Sequence, residues 1–221
     1  MRFERTDDGV ERVATLDVET THFEPERGEV VAIGVGVHDR GTPGTAADYE
    51  CFYRCGPTDE ADTILAAIDA VSRFDADRLV TYNGRGFDLP FLRDRVAIRG
   101  GGALELPFTA SQHLDLFADR KERADATGRK WPNLEECLDA YGVTPAETRW
   151  SGELVTNGLF GDELGPAYLD ALTVGDDTRV DELHPVIDHY LRTDLENNFV
   201  VYYRDVGIEF DPIFAGRHAT F

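Results

Sequence analysis

The sequence predicts an α/β fold with a mixed central β-sheet, the first three strands antiparallel, flanked by helices. Two short, apolar, β-branched runs, Arg12 to Val18 (RVATLDV) and Val30 to Val37 (VVAIGVGV), are separated by the turn-rich HFEPERGE, as paired strands require. The period then changes: Ile64, Leu65, Ile68 and Val71 recur at helical spacing within Thr58 to Phe74, and Leu79 to Tyr82 follows as a short buried-type strand. A third strand at Tyr49 to Tyr53, reached through the turn GTPGT, makes the order β-β-β-α-β.

Beyond this core, Asn83 and Gly84 shape a turn, and Asp88 to Ile98 reads as a helix ended by the three glycines Gly100 to Gly102. A strand near Gln112 to Phe117 precedes a polar stretch, DRKERADATGRK, expected as a loop or mobile helix. Asn133 is a good N-cap for LEECLDAYG, whose Gly142 suits the C-terminal end. Trp150 to Asp177 reads as short helices, and a long helix is expected from about Asp181 or Val186 to Tyr203. At roughly 150 residues per domain, and with no repeat or linker, the 221 residues are expected to form one domain over 1–221, with its core over about 12–205.

Hydrophobic residues make up 42% of the chain, enough for a core, yet no window offers the roughly 20 uncharged apolar residues of a membrane helix. The charged opening MRFERTDDGVER lacks the apolar run of a secretory signal, so a cytoplasmic location and no membrane partner are expected. Acidic residues number 43 against 22 basic ones, for a net charge of −21, and only Lys121 and Lys130 are lysines. Such a bias suits a salt-rich cytoplasm, where a short Debye length suppresses self-repulsion, or an ordinary acidic protein from a GC-rich genome, and either way argues against a surface that binds polyanions by charge alone. Cys51, Cys55 and Cys137 lack the spacing of a zinc site and are expected to be reduced packing residues.

Asp17 and Glu19 lie two apart in a strand, so both side chains face the same way. Two acids in an apolar strand are costly unless solvent or something positive meets them; carboxylate oxygens suit magnesium or manganese. Asp88 falls near the start of the helix after Asn83 and Gly84, where an N-cap would also place an aspartate. Tyr190 and Asp194 are four apart on the last helix and so share a face.

Together, Asp17 and Glu19 in LDVET, Asp88 in YNGRGFDLPFL and Asp194 in HYLRTD resemble the DEDD superfamily of 3′-to-5′ exonucleases, which have the ribonuclease H-like fold. The middle string and the HLDLF of His113 to Phe117 look most like stand-alone relatives of the proofreading domain of family B DNA polymerases, over roughly residues 12 to 205. The resemblance implies two divalent cations, Mg2+ or Mn2+: Asp17 would bridge them, Glu19 and Asp194 would complete one site, and Asp88 would hold the second ion through water. Two cations roughly 4 Å apart activate water and stabilise a leaving oxygen in phosphoryl displacement. The implied substrate is a single-stranded 3′ end, of DNA before RNA; an exoribonuclease and a non-catalytic nucleic-acid-binding module stay open. The superfamily divides by whether a tyrosine four residues, or a histidine five residues, before the last aspartate orients the water, and His189 and Tyr190 satisfy both spacings. On a helix Tyr190 lies about 40° from Asp194 and His189 about 140° away, which favours the tyrosine branch.

Thr20, Asn83, Phe87 and Phe91 are the expected substrate-binding positions, with Phe87, Phe91 and Trp131 able to stack on a terminal base or to serve as core. Five basic residues between Arg120 and Lys130 form a segment that could meet phosphates or remain a solvated loop. Asp115 and His113 are expected to support the fold rather than to bind metal.

Overall fold

The computed structural model describes residues 1–221. Its main sheet has the order β3-β2-β1-β4-β5, built from β1 (Arg12–Thr20), β2 (Val30–Asp39), β3 (Asp48–Tyr53), β4 (Arg78–Thr81) and β5 (His113–Asp115). The first three strands are antiparallel, and β4 and β5 continue the sheet parallel to β1. The mixed sheet is therefore the one expected.

Alternation along β1 divides the molecule. Ala14, Leu16 and Val18 pack with Ile64, Ala67, Ile68 and Val71 of α1 (Glu60–Arg73) and Phe91, Leu92 and Val96 of α2 (Asp88–Ile98). Each fully buried Leu or Ile in this layer contributes about 1.5–3 kcal/mol. Val13, on the opposite face, joins Val80, Cys137, Leu138 and the stretch Phe199 to Tyr203. That second face is covered by the long helix, α7 (Asp177–Asp205), so Asp17 and Glu19, in phase with Val13, look toward α7 rather than α1.

Gly34 makes this approach possible. It pairs with Asp17 across the β1–β2 ladder, and a Cβ there would stand 2.6 Å from Leu195 Cδ1 and 2.9 Å from Leu191 Cγ. A side chain would push α7, and Asp194 with it, away from the strand.

The remaining elements are α3 (Leu116–Thr127), α4 (Leu134–Ala140), a one-turn helix α5 (Asn157–Leu159) running through a π-turn at Phe160–Leu164 into α6 (Gly165–Val174), and a second sheet. That sheet joins β6 (Glu147–Trp150), β7 (Glu153–Leu154) and β8 (His218–Thr220) in the order β7-β6-β8. Asn133 caps α4 in a full capping box with Glu136, as its sequence predicts.

Several expectations need correction. The strand expected to reach Phe117 stops at Asp115, because that side chain accepts the Phe117 N–H and starts α3. Of the two forms expected for the polar stretch after it, loop or helix, the chain takes the helix, up to Thr127, held down by Arg120. Trp150 to Asp177 includes strand as well as helix, and β8 escaped the sequence reading. Helix α7 begins at Asp177, capped by Asp176, and runs through Pro185. Cys137 is a packing residue, but Cys55 is exposed and Cys51 only half-buried. No helix is long and apolar enough to cross a membrane.

Candidate active site

A cleft of about 710 Å³ opens at the carboxyl ends of the parallel strands. The end of β1 supplies Asp17 to Phe23, the end of β4 supplies Tyr82 and Asn83, and Asp88, Asp194 and the turn at Asn157 and Gly158 close its sides. Ligand sites of α/β sheets favour this location, since side chains diverge there from a rigid scaffold.

Asp17, Glu19 and Asp194 each place a carboxylate oxygen within 4.8 Å of the others. Asp17 and Glu19 reach there by the two-residue period of β1, and Asp194 by the close packing of α7 over Gly34. Asp88 stands at the first turn of α2 on the same cleft. It is not the cap: Phe87 holds that position, without a capping hydrogen bond. The turn presenting Asp88 is tight, since a Cβ on Gly84 would lie 2.3 Å from Thr81 Oγ1. Asp115 braces it by accepting the N–H groups of Asn83 (2.8 Å) and Arg85 (3.0 Å), and Asn83 adopts the left-handed φ of 70°. His113 bonds Thr81 Oγ1 at 2.8 Å; burial and the Arg85 charge lower its pKa to about 4, leaving it neutral. Both residues thus support the scaffold, as expected.

The four carboxylates have no protein counter-charge, for none joins an ion pair. Burial raises the Asp17 pKa to about 7. Burial, then the charges of Asp17, Asp194 and Asp88, push Glu19 well above the carboxylate range. Asp88 rises through burial, then Asp17 and Asp115; Asp194 rises through burial, then Asp17 and Glu135. A set of hard oxygen donors that destabilises its own ionised form fits a divalent cation, which relieves the repulsion and is what such donors prefer.

The two candidate water-orienting residues part ways. Tyr190 is 7% exposed, and its phenol is held well above its usual pKa by burial and then by Asp194, Glu19 and Asp17. Its hydroxyl donates to Asn157 Oδ1 at 2.7 Å, and its ring stacks on Phe160 at 5.7 Å and 22°. His189 turns to the second sheet, where Nδ1 lies 2.7 Å from Thr148 Oγ1 and the ring packs on Phe214 and Phe221.

Thr20, Asn83 and Phe87 line the cleft, but Phe91 does not. Phe91 is 2% exposed and packs within the α1–α2 layer, one helical turn past Phe87 and pointing inward, so it is a core residue. The basic segment also divides. Arg120 is fully buried and bonds Asp205 at 2.6 and 3.0 Å, so it is structural and out of reach of phosphate. Lys130 pairs with Glu136. Lys121 lies 4.2 Å from the ring centroid of Trp131, which lines the cleft at 47% exposure.

Sequence reasoning missed Asn157, Phe117, Glu135 and the stacked pair His22–Phe23 as cleft residues. Only the Asn-Gly dipeptide at 157–158 carries a local signal, that of a turn; the others reach the cleft through the tertiary fold.

Residues 14–157 match the RNase_H_2 family model of the RNase H superfamily; the span includes Asp17, Glu19 and Asp88. No curated protein matches the sequence significantly. A family B DNA polymerase from the hyperthermophilic archaeon Pyrobaculum calidifontis superposes with a TM-score of 0.58 at 19% identity, over 90% of this chain and 25% of that one. The chain thus spans a quarter of that polymerase, and the likeness is one of fold. Escherichia coli Exonuclease I in complex with a 5cy-dA13 oligonucleotide overlaps more partially, with a TM-score of 0.39 at 17% identity over 60% of this chain and 36% of that one.

Proposed function

The chain belongs to the RNase H superfamily, and from that premise we propose that it is a metal-dependent 3′-to-5′ exonuclease acting on single-stranded nucleic acid, DNA before RNA. The observation that carries the proposal is the cleft itself. Four carboxylates from three separate stretches of chain converge there with no protein cation to balance them.

Asp17, Glu19 and Asp194 would hold one divalent cation and Asp88 would serve a second, magnesium or manganese. When bound, these ions supply Lewis-acid activation of water and stabilise charge on the scissile phosphate. Water adds across the P–O3′ bond: its oxygen joins phosphorus, one proton goes to the leaving 3′ oxygen, and the other stays with the new phosphate or passes to solvent. Carboxylates do not compete with water as nucleophiles while they are engaged as ligands. Tyr190 shares the helix face of Asp194 and orients the water without exchanging a proton of its own.

Aromatic groups lining the cleft would receive the strand. Phe23, just beyond β1, is 69% exposed, and Trp131 packs edge-on against Phe117. Stacking on such groups is sequence-tolerant and contributes about 1–3 kcal/mol per base. In a chain of charge −21, the cations and these rings concentrate affinity in the cleft, and Lys121 adds a positive group beside Trp131. Thr20 and Asn83 line the same cleft and would contact the terminal nucleotide.

The test is incubation of the purified chain with 5′-labelled DNA and RNA strands, with manganese or chelator, at high salt. A ladder shortening from the 3′ end, blocked by a 3′-terminal phosphate and by chelator, is expected. Release of the labelled 5′ nucleotide first, or cutting of circular single strands, would overturn the assignment.

A further inference from the structure

Tyr190 is buried beside three carboxylates, yet its hydroxyl does not donate to any of them. The proton goes to Asn157 Oδ1 at 2.7 Å, although an O–H bond to a carboxylate is the stronger, charge-assisted one. Two features of the same segment hold this arrangement. Thr156 accepts the Leu159 N–H at 3.2 Å and starts the turn carrying Asn157, and Phe160, at the entry to the π-turn, stacks on the Tyr190 ring at 5.7 Å. Ring and hydroxyl are therefore gripped by residues 157 and 160 of one short segment, which also walls the cleft through Asn157 and Gly158.

A tyrosine hydroxyl has one proton and two acceptor lone pairs. With the proton committed to Asn157, Tyr190 can meet a water only as an acceptor. A water that donates to Tyr190 keeps its own lone pair free, and that lone pair must reach phosphorus. If Tyr190 donated instead, its proton would occupy one of the two lone pairs of the water, and where a cation held the other, none would be left for attack. We infer that Asn157 is a positioning residue that sets the polarity of the Tyr190 hydroxyl and so the orientation of the attacking water; this rests on the nuclease reading of the cleft. Without Asn157 the phenol is free to turn its proton to Asp194, four residues on along the same helix face, or to the water. Asn157 is exposed and buries little, so replacing it leaves the fold intact.

The experiment is a kinetic double-mutant cycle on the manganese-loaded full chain, comparing wild type, Asn157→Ala, Tyr190→Phe and the double variant. Alongside it, the Cζ resonances of 13C-tyrosine-labelled, metal-free protein are recorded, with the Tyr190 signal assigned by its loss in Tyr190→Phe. Asn157→Ala is expected to lower kcat roughly tenfold with KM changed less than about twofold, and to shift the Tyr190 resonance. In the Tyr190→Phe background the same change should have no further effect on kcat, because the group through which it acts is gone. A loss of equal size in both backgrounds, a wild-type kcat in Asn157→Ala, or an unmoved Tyr190 resonance would overturn the inference while leaving the nuclease reading in place. A wild-type chain that cleaves no phosphodiester would overturn both.

Discussion

Two groups of buried acids in this chain meet opposite fates. Glu60, fully buried, accepts from Arg95 at 2.8 and 2.6 Å, from Arg99 at 2.6 Å and from the Val30 N–H at 2.8 Å. These bonds hold its pKa below the ordinary value against the pull of burial. Asp205, 2% exposed, is likewise enclosed by Arg120, Arg5 and Tyr141. Glu19 and Asp88 are nearly as buried, at 7% and 4%, yet have no cationic partner, and their pKa values rise well above the ordinary range. Burial alone does not distinguish these two groups of acids. The distinction is whether the fold supplies the counter-charge, and in the cleft it does not.

Four experiments test that contrast, in decreasing order of expected effect. The largest effect is on turnover: Asp17→Asn should lower the rate of strand cleavage roughly 10³-fold, comparable to losing a principal electrostatic group of a site, with the folded state retained by circular dichroism. Next is stability at the paired cluster. Glu60→Ala leaves Arg95 and Arg99 without their shared carboxylate and should cost about 3–5 kcal/mol in urea unfolding. Glu19→Gln in the metal-free chain should instead stabilise it, since it removes a carboxyl whose ionised form burial and its acidic neighbours disfavour. Equal destabilisation by both variants would show that the two clusters are not different in kind.

A third, smaller effect is that of metal. Manganese at about 100 times its Kd should add about 2.7 kcal/mol to folding stability, seen as a rise in Tm that Asp17→Asn reduces. The smallest effect is the pH dependence of the metal-free chain. The folded Asp17 keeps a proton up to about pH 7, whereas the unfolded chain releases it near the ordinary value of 3.8. That contribution is fully present below the lower value and is lost as pH rises through the upper one. Glu60, whose pKa is lowered, contributes the opposite slope, stability lost on acidification below its ordinary value of 4.5. Unfolding free energies of Asp17→Asn and Glu60→Ala between pH 3 and pH 8 separate the two slopes; the same sign of change in both would contradict the contrast.

The legible parts of the molecule are those written in short periods. Asp17 and Glu19 share a face because strands repeat every two residues, and Tyr190 keeps company with Asp194 because helices return after four. Asn133 could be named as a cap from its own neighbours. The same logic separated Tyr190 from His189, and the structure places them on different sides of α7, one at Asn157 and the other at Thr148.

What remained hidden depends on partners far away in the chain. Arg120 reads as part of a basic, solvated run, but Asp205, 85 positions later, draws it into the interior. Glu147 pairs with His218 across the second sheet, and strands of four and three residues carry too little alternation to announce themselves. Phe91 and Phe87 share a helix, and only the packing of α2 on the sheet decides which one faces the cleft. Local periodicity carried the order β-β-β-α-β, the pairing of Asp17 with Glu19 on one face, and the choice of Tyr190 over His189 as the neighbour of Asp194 on the helix. The tertiary structure alone decided which acids receive a counter-charge, which aromatic rings reach the cleft and that Asn157 holds Tyr190, because these rest on contacts between residues that no local pattern connects.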